Sequence, residues 1–381
     1  MGTKKSFADI VRETEGDLRQ RLQAKVPDWT DVLQDLRLPA RLNVEQCSSA
    51  AAARYKAALA ASLLEGSGHI ADLTGGLGVD AWAFSAEAEA VLYNEMDPAL
   101  CEAVQANFAL LGIRNAVFSN AEVRPGMLRE ILGGFRPDLI YLDPARRSDT
   151  GRKVFRLEDC RPDLLALQEE LLALAPHLLV KLSPMADLSL LLRQLKGVSA
   201  IHIVSLDGEC KELLVLAGRR KTEDISLVVT EIRKGQTASL SFPEASRELR
   251  CKGLESPMEL AGNWLFEPGA SLNKSGCQDA ACQRAGLRKF APSTHLYLAS
   301  APVPELVPFG RFRRIVEVLP LDKRSIREAA LRYPQADVTA RNIPLRSDEL
   351  ARRLGVRSGG PHHIYGAALS SGHNYLIITE S

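Results

Sequence analysis

Ala71-Asp72-Leu73-Thr74-Gly75-Gly76-Leu77-Gly78-Val79-Asp80 joins a short apolar run to a helical one through three glycines. A strand that turns through glycines into a helix lets the backbone approach a ligand closely at the carboxyl end of a sheet. The same letters also make a tight strand-to-helix turn with no ligand. Asp72 favours the first reading, because a carboxylate at the start of the loop accepts hydrogen bonds from an ammonium group. A dinucleotide-binding loop leaves that space for pyrophosphate.

Working outward, apolar runs at 70–73, 90–94, 116–119 and 139–142 recur about every 23 residues, with helical patterns at 81–84, 98–111 and 126–132 between them. A fifth run, 177–182, follows a helical stretch at 162–174, and 201–205 with 213–217 form a closing pair around Asp207-Gly208. Strands alternating with helices imply an α/β domain with a mainly parallel sheet and right-handed crossovers. Upstream, an alanine-rich helical lead-in at 47–64 stops at Gly66 and Gly68. Downstream, 225–232 and 238–242 precede a Gly, Pro and Asn-rich stretch reaching 275. A strand at 313–319, a helix at 325–333, a strand at 336–341, a helix at 347–354 and a strand pair at 362–369 and 374–379 then describe a small α+β unit. The expected organisation is a helical segment 1–65, an α/β domain 66–218, an α+β linker or ferredoxin-like unit 219–310 and an α+β domain 311–381.

The strand ends carry the candidate chemistry. Glu95, 23 residues after Asp72, ends the second strand, where a carboxylate can accept both hydroxyls of a ribose; a plain surface acid is the alternative. With Met96, and with Asn120-Ala121 after the third strand offering an amide to an adenine edge, it completes a candidate adenosyl pocket together with Asp72, Thr74, Gly75, Gly76, Gly78 and Asp80. The fourth strand ends in Asp143-Pro144-Ala145-Arg146-Arg147, which sets Asp143 beside the reacting group. Arg146 or Arg147 could grip a phosphate or a base carbonyl, or pair with a helix acid. Lys181, at the end of the fifth strand, either touches substrate or pairs with Asp143 or Asp72.

Asp-Leu-Thr-Gly-Gly-Leu-Gly, a strand-end acid and Asp-Pro-Ala-Arg, in that order, resemble class I S-adenosylmethionine-dependent methyltransferases, particularly those acting on RNA, over about residues 66–218. Glu45-Gln46-Cys47-Ser48-Ser49, Arg54-Tyr55-Lys56 and Lys181-Leu182-Ser183-Pro184 are similar to a group of bacterial methyltransferases with a C-terminal THUMP-like domain. The resemblance implies a Rossmann-like seven-stranded sheet, S-adenosylmethionine bound by the residues above, including Asp143, and a catalytic set of Asp143, Pro144 and Arg146 with Arg147 and Lys181 on the substrate. It implies tRNA or rRNA as partner, with a base as methyl acceptor. Amino-methylating relatives follow the acid with Pro-Pro and an aromatic ring; Ala145 and Arg146 stand there instead. Uracil-C5 enzymes need a cysteine after the fifth strand, and 181–184 has none.

Composition sets the outer limits. At 381 residues the chain exceeds one ordinary core, and 46% hydrophobic with 25% charged residues is a globular balance. Residues 1–10 lack a secretory apolar run and no stretch approaches membrane length, so a cytoplasmic protein is expected. Seven scattered cysteines fit a reducing compartment, and the one close pair, Cys277 and Cys282, reads as two free thiols with no metal site. Net charge is +1, but residues 311–360 hold twelve Lys or Arg against six acids, either phosphate contacts or solvated helix faces. His362, His363 and Tyr365 are candidates for base stacking or for strand packing. Two other readings stay open: methylation of a protein or small molecule, and a cofactor-fold binding protein without transfer activity.

Overall fold

The computed structural model describes residues 7–64, 68–146, 157–219 and 224–380. The chain forms two compact units, Met1–His202 with Glu212–Ile225, and Ile203–Lys211 with Ser226–Ser381.

The first unit opens with helices α1 (Phe7–Lys25), α2 (Arg41–Gln46) and α3 (Ala50–Leu63). Alanine-rich sequence favours α3, and the Ser49 side chain caps it by accepting the Ala52 N–H. Its buried stripe is Ala53, Lys56, Ala57 and Ala60. Strands and helices then alternate: β1 (His69–Asp72), α4 (Val79–Ser85), β2 (Ala90–Asn94), α5 (Pro98–Leu110), β3 (Ala116–Ser119), α6 (Leu128–Leu132), β4 (Leu139–Leu142), α7 (Leu164–Leu174), β5 (His177–Leu182), α8 (Leu188–Gln194), β6 (Val198–Leu206) and β7 (Glu209–Gly218). Asp97, Asp163 and Asp187 cap α5, α7 and α8 through their carboxylates.

The sheet order is β3-β2-β1-β4-β5-β7-β6. β1 pairs in parallel with β2 and β4, β2 with β3 and β4 with β5, while β7 runs antiparallel to β5. The chain steps outward from β1 on one side, returns to β4 beside β1, and builds the other. The reversal leaves the β1 and β4 carboxyl ends adjacent, where open α/β sheets bind ligands. The seven expected strands are all present.

In the second unit the hairpin tip Ile203–Lys211 meets β8 (Ser226–Arg233), whose Ile232 carbonyl accepts the Asp207 N–H at 3.0 Å. Strand β8 pairs antiparallel with β9 (Gln236–Pro243). A separate seven-stranded sheet follows from β10 (Trp264–Pro268), β11 (Arg288–Lys289), β12 (Tyr297–Ala299), β13 (Gly310–Pro320), β14 (Gln335–Arg341), β15 (Arg357–Ala368) and β16 (Asn374–Glu380), in the order β11-β12-β10-β13-β16-β15-β14. Helices α9 (Ala270–Ser275) and α10 (Gln278–Arg284) precede β11; α11 (Lys323–Arg332) and α12 (Ser347–Leu354) flank β14. One core joins Ala329, Leu350 and Leu354 to Ile364, Leu376 and Ile378, and a second packs Leu254, Leu265, Phe290 and Leu296 with Tyr365 and Ile377.

Two features differ from the sequence reading, and at Tyr365 one of its two alternatives holds. The Gly, Pro and Asn-rich stretch contains β10 and α9, with α10 just beyond it, none longer than seven residues and so too short to show a period. Strand β15 starts at Arg357, because its pairing with β14 jumps from Gln335↔Arg357 to Ala336↔His362 and the intervening Gly359-Gly360-Pro361 bulges out. Tyr365 is fully buried, stacked on His363 at 4.2 Å and donating to Glu267 at 2.9 Å, so it serves the core and not a base platform.

Candidate functional site

The parallel register places Asp72 opposite Tyr93 on β2 and Tyr141 on β4, so Asp72, Glu95 and Asp143 leave the sheet on one edge. Two hydrogen bonds tie the three segments together. Glu95 Oε2 accepts the Gly76 N–H at 3.1 Å, and Thr74 Oγ1 accepts the Asp143 N–H at 2.6 Å. Asn94, 1% exposed, sets the rear of the edge: its amide donates to the Leu73 and Ala121 carbonyls, 3.0 Å each, and its oxygen accepts the Ala121 N–H at 3.2 Å.

The loop glycines are of different kinds. A Cβ on Gly75 would lie 2.1 Å from the Tyr93 ring, and one on Gly78 2.7 Å from Val104, with φ at +81°. Those two are required for packing. Gly76, at φ +52°, has no atom within 4 Å of where its Cβ would stand. Its Cβ position borders open space, and its N–H is the group that Glu95 accepts.

Asp72 is 1% exposed; one oxygen accepts the Thr74 N–H at 3.1 Å, and the other, fully buried, has no partner among the described residues. Burial, with the charge of Asp80 second, holds its carboxyl well above the usual carboxylate range. A buried oxygen left without a donor is costly to the protein alone, so it marks a place for a cationic or hydrogen-bond-donating ligand group.

Lys181 pairs with Asp143 Oδ2 at the end of β4. Burial works against its charge, but the carboxylates of Asp143, Asp80 and Glu212 outweigh that and raise its pKa above the usual lysine value. Behind the pair lies a cluster that sequence reasoning missed. The Lys56 ammonium stands 3.1 Å from Asp80, 3.1 Å from Glu212 and 3.1 Å from Ser48 Oγ, and Asp80 Oδ2 accepts from Ser48 at 3.0 Å and Tyr141 at 2.8 Å. Burial raises the Glu212 carboxyl, whereas Lys56 and Lys181 overcome burial at Asp80 and lower it. The signal was present: Lys56 falls three residues after Ala53 and four before Ala60, on the buried stripe of α3.

Other expected site residues lie around this edge. Asn120 is exposed and donates to the Glu95 carbonyl at 2.6 Å, Ala121 is half-buried, and Met96 is 63% exposed. Pro144 is buried, and Ala145-Arg146 pairs antiparallel with Cys160-Arg161. Arg147 lies outside the described residues. No disulfide involves any of the seven cysteines, and among the described residues no helix is long and apolar enough to cross a membrane.

Two family models match the chain, both within the second unit. Residues 264–306 match a ferredoxin-like domain model and 310–381 a THUMP domain-like model. The crystal structure of a candidate methyltransferase from Porphyromonas gingivalis W83 superposes with a TM-score of 0.84 at 30% identity, covering 96% of this chain and 88% of that one. A candidate methyltransferase from Streptococcus mutans in complex with SAH gives a TM-score of 0.31 at 10% identity, over 43% of this chain and 95% of that one. An rRNA methylase from Streptococcus thermophilus gives 0.31 at 14% identity, over 43% and 94%. No curated protein matches the chain.

Proposed function

Because the chain belongs to the family of the Porphyromonas gingivalis protein, a methyltransferase fold followed by ferredoxin-like and THUMP domain-like modules, we propose that it is an S-adenosylmethionine-dependent methyltransferase acting on a base of tRNA or rRNA in the cytoplasm. The observation that carries the reading is the buried, unpartnered oxygen of Asp72 at the carboxyl end of β1, between the glycine loop and Asp143. It fits the ammonium of an amino acid moiety, and neutralisation by that ammonium relieves a buried charge.

In this reading residues 66–218 are the cofactor-binding domain, introduced by the helical segment 1–65 and followed by 219–310 and 311–381. Asp72, Thr74, Gly75, Gly76 and Gly78 hold the amino acid end, Glu95 the ribose hydroxyls, and Met96, Asn120 and Ala121 the adenine. Asp80 acts from behind, since Lys56, Ser48 and Tyr141 occupy its oxygens. When bound, the cofactor supplies an electrophilic methyl group. The protein's share is to orient the acceptor and exclude water, with Asp143 and Pro144 at the acceptor and Arg146 and Arg147 on neighbouring phosphate or carbonyl oxygens. RNA is favoured by the THUMP domain-like match and by cationic side chains on β13, α11, β14, α12 and β15, of which Arg332, Arg341, Arg352 and Arg353 are paired with acids.

Titration calorimetry with S-adenosylmethionine, and transfer of a labelled methyl group to RNA from cells lacking the protein, test the proposal together. Micromolar binding with label in RNA is expected. Binding with label only in protein or small molecules would move the substrate class, and binding without transfer would leave a non-catalytic cofactor protein.

A further inference from the structure

We propose that the Lys181–Asp143 pair selects, as methyl acceptor, a base with an –NH–CO– lactam edge, such as guanine, hypoxanthine or uracil. This rests on the methyltransferase reading above. The pair sits where β4 and β5 leave the sheet, Asp143 with 35% and Lys181 with 14% of its side chain exposed. Lys181 occupies Asp143 Oδ2, and no described residue donates to Oδ1. The pair therefore presents one ammonium donor beside one carboxylate acceptor, both charged.

Adenine and cytosine also offer a donor next to an acceptor, so hydrogen-bond complementarity alone does not discriminate. The sign of the developing charge does. Methylation of an exocyclic amine makes that base more positive, which the neighbouring ammonium of Lys181 opposes. A lactam loses its ring N–H proton as it reacts, and the negative charge gathers on the carbonyl oxygen, where an ammonium stabilises it. Amino-group chemistry also needs acceptors for two amino hydrogens, whereas Lys181 leaves Asp143 only one oxygen. In the step implied, the ring nitrogen gives its proton to Asp143 and forms the new N–C bond with the electron pair that held it. The methyl–sulfur bond breaks with its pair returning to sulfur, leaving a neutral N-methyl base, a neutral thioether and a neutral carboxylic acid.

Two measurements on the full chain test this. In the first, nucleosides from RNA methylated in vitro are identified by mass spectrometry, and methyl on a ring nitrogen of guanosine, inosine or uridine is expected. Methyl on an exocyclic amine, a carbon or a ribose overturns the lactam assignment while leaving RNA methylation standing; no methyl in RNA, with S-adenosylmethionine still bound, overturns both. The second needs no turnover. By saturation-transfer NMR with S-adenosylhomocysteine present, inosine should bind about ten-fold more tightly than adenosine, which differs from it only at this edge. Lys181→Met should remove the preference and keep S-adenosylhomocysteine affinity, while Lys181→Arg keeps part of it. Equal binding of the two nucleosides, or a preference that survives Lys181→Met, sinks the inference.

Discussion

Lys56 on α3 and Asp80 on α4 form a 3.1 Å ion pair in which the lysine side chain is fully buried and the aspartate 9% exposed. Glu212 on β7 closes the cluster from the other side, also 3.1 Å from the lysine. One cation thus holds together the helical lead-in, the helix after the glycine loop and the antiparallel strand of the first unit.

Removing that cation should be expensive. Lys56→Met leaves two buried carboxylates facing each other, and breaking a buried pair from one side costs about 3–5 kcal/mol. Urea unfolding should show that loss, and adding Glu212→Gln to Lys56→Met should recover part of it, since contacting sites couple. A loss below about 1 kcal/mol would mean that water reaches the cluster.

Asp72 should show the opposite balance between stability and binding. Its folded-state pKa is raised, first by burial and then by Asp80, so the folded chain keeps a proton that the unfolded chain releases. The stability tied to that proton is complete below the unfolded pKa of about 3.9 and is lost as pH rises toward the folded value. Asp72→Asn cannot ionise, so it should match the wild type near pH 4 and exceed it by about 0.5–2 kcal/mol at pH 8. S-adenosylmethionine affinity should fall about 10- to 100-fold with the lost charged hydrogen bond. Thermal melts at the two pH values and calorimetry check both halves; a variant no more stable at pH 8 refutes the first, and unchanged affinity the second.

Asn94 offers a test of the edge itself. Its side chain makes three hydrogen bonds, to Leu73 and to both backbone groups of Ala121. Asn94→Leu strips them and leaves the buried Leu73 carbonyl and the half-buried Ala121 backbone groups without their partner, for a loss of about 2–4 kcal/mol in a denaturant titration. A cost near zero would show that water replaces the amide.

How far the sequence reached depends on what each feature needs. The β1 to β5 strands were legible because each is a short apolar run followed by a helix, and Asp72, Glu95 and Asp143 because strand ends are sheet-edge positions by topology. The Lys56 cluster was not, because Ser48, Lys56, Asp80, Tyr141 and Glu212 come from five separate segments and meet only through packing. Tyr365 was ambiguous for a related reason: a strand residue faces core or solvent according to which side of its sheet is covered, and the covering residues Leu254, Phe290 and Leu296 lie far away in sequence.

Gly75 and Gly76 are neighbours, and they should fail in different ways. A methyl group on Gly75 falls 2.1 to 2.7 Å from three atoms of the Tyr93 ring. That ring is fully buried, packed against Phe108 and Phe118, with its hydroxyl donating to the Gly76 carbonyl, so it has nowhere to move. Overpacking of this kind costs about 1–3 kcal/mol or more, and Gly75→Ala should lose stability by that amount and binding along with it. On Gly76 the methyl meets nothing within 4 Å, and the only penalty is the left-handed φ of +52°, about 1 kcal/mol for alanine. If the open space beside Gly76 and Glu95 is where the cofactor lies, Gly76→Ala should melt within a few degrees of the wild type yet bind S-adenosylmethionine at least about ten-fold more weakly. Wild-type affinity in that variant would place the cofactor elsewhere, and equal stability of the two variants would show that the Tyr93 ring yields after all.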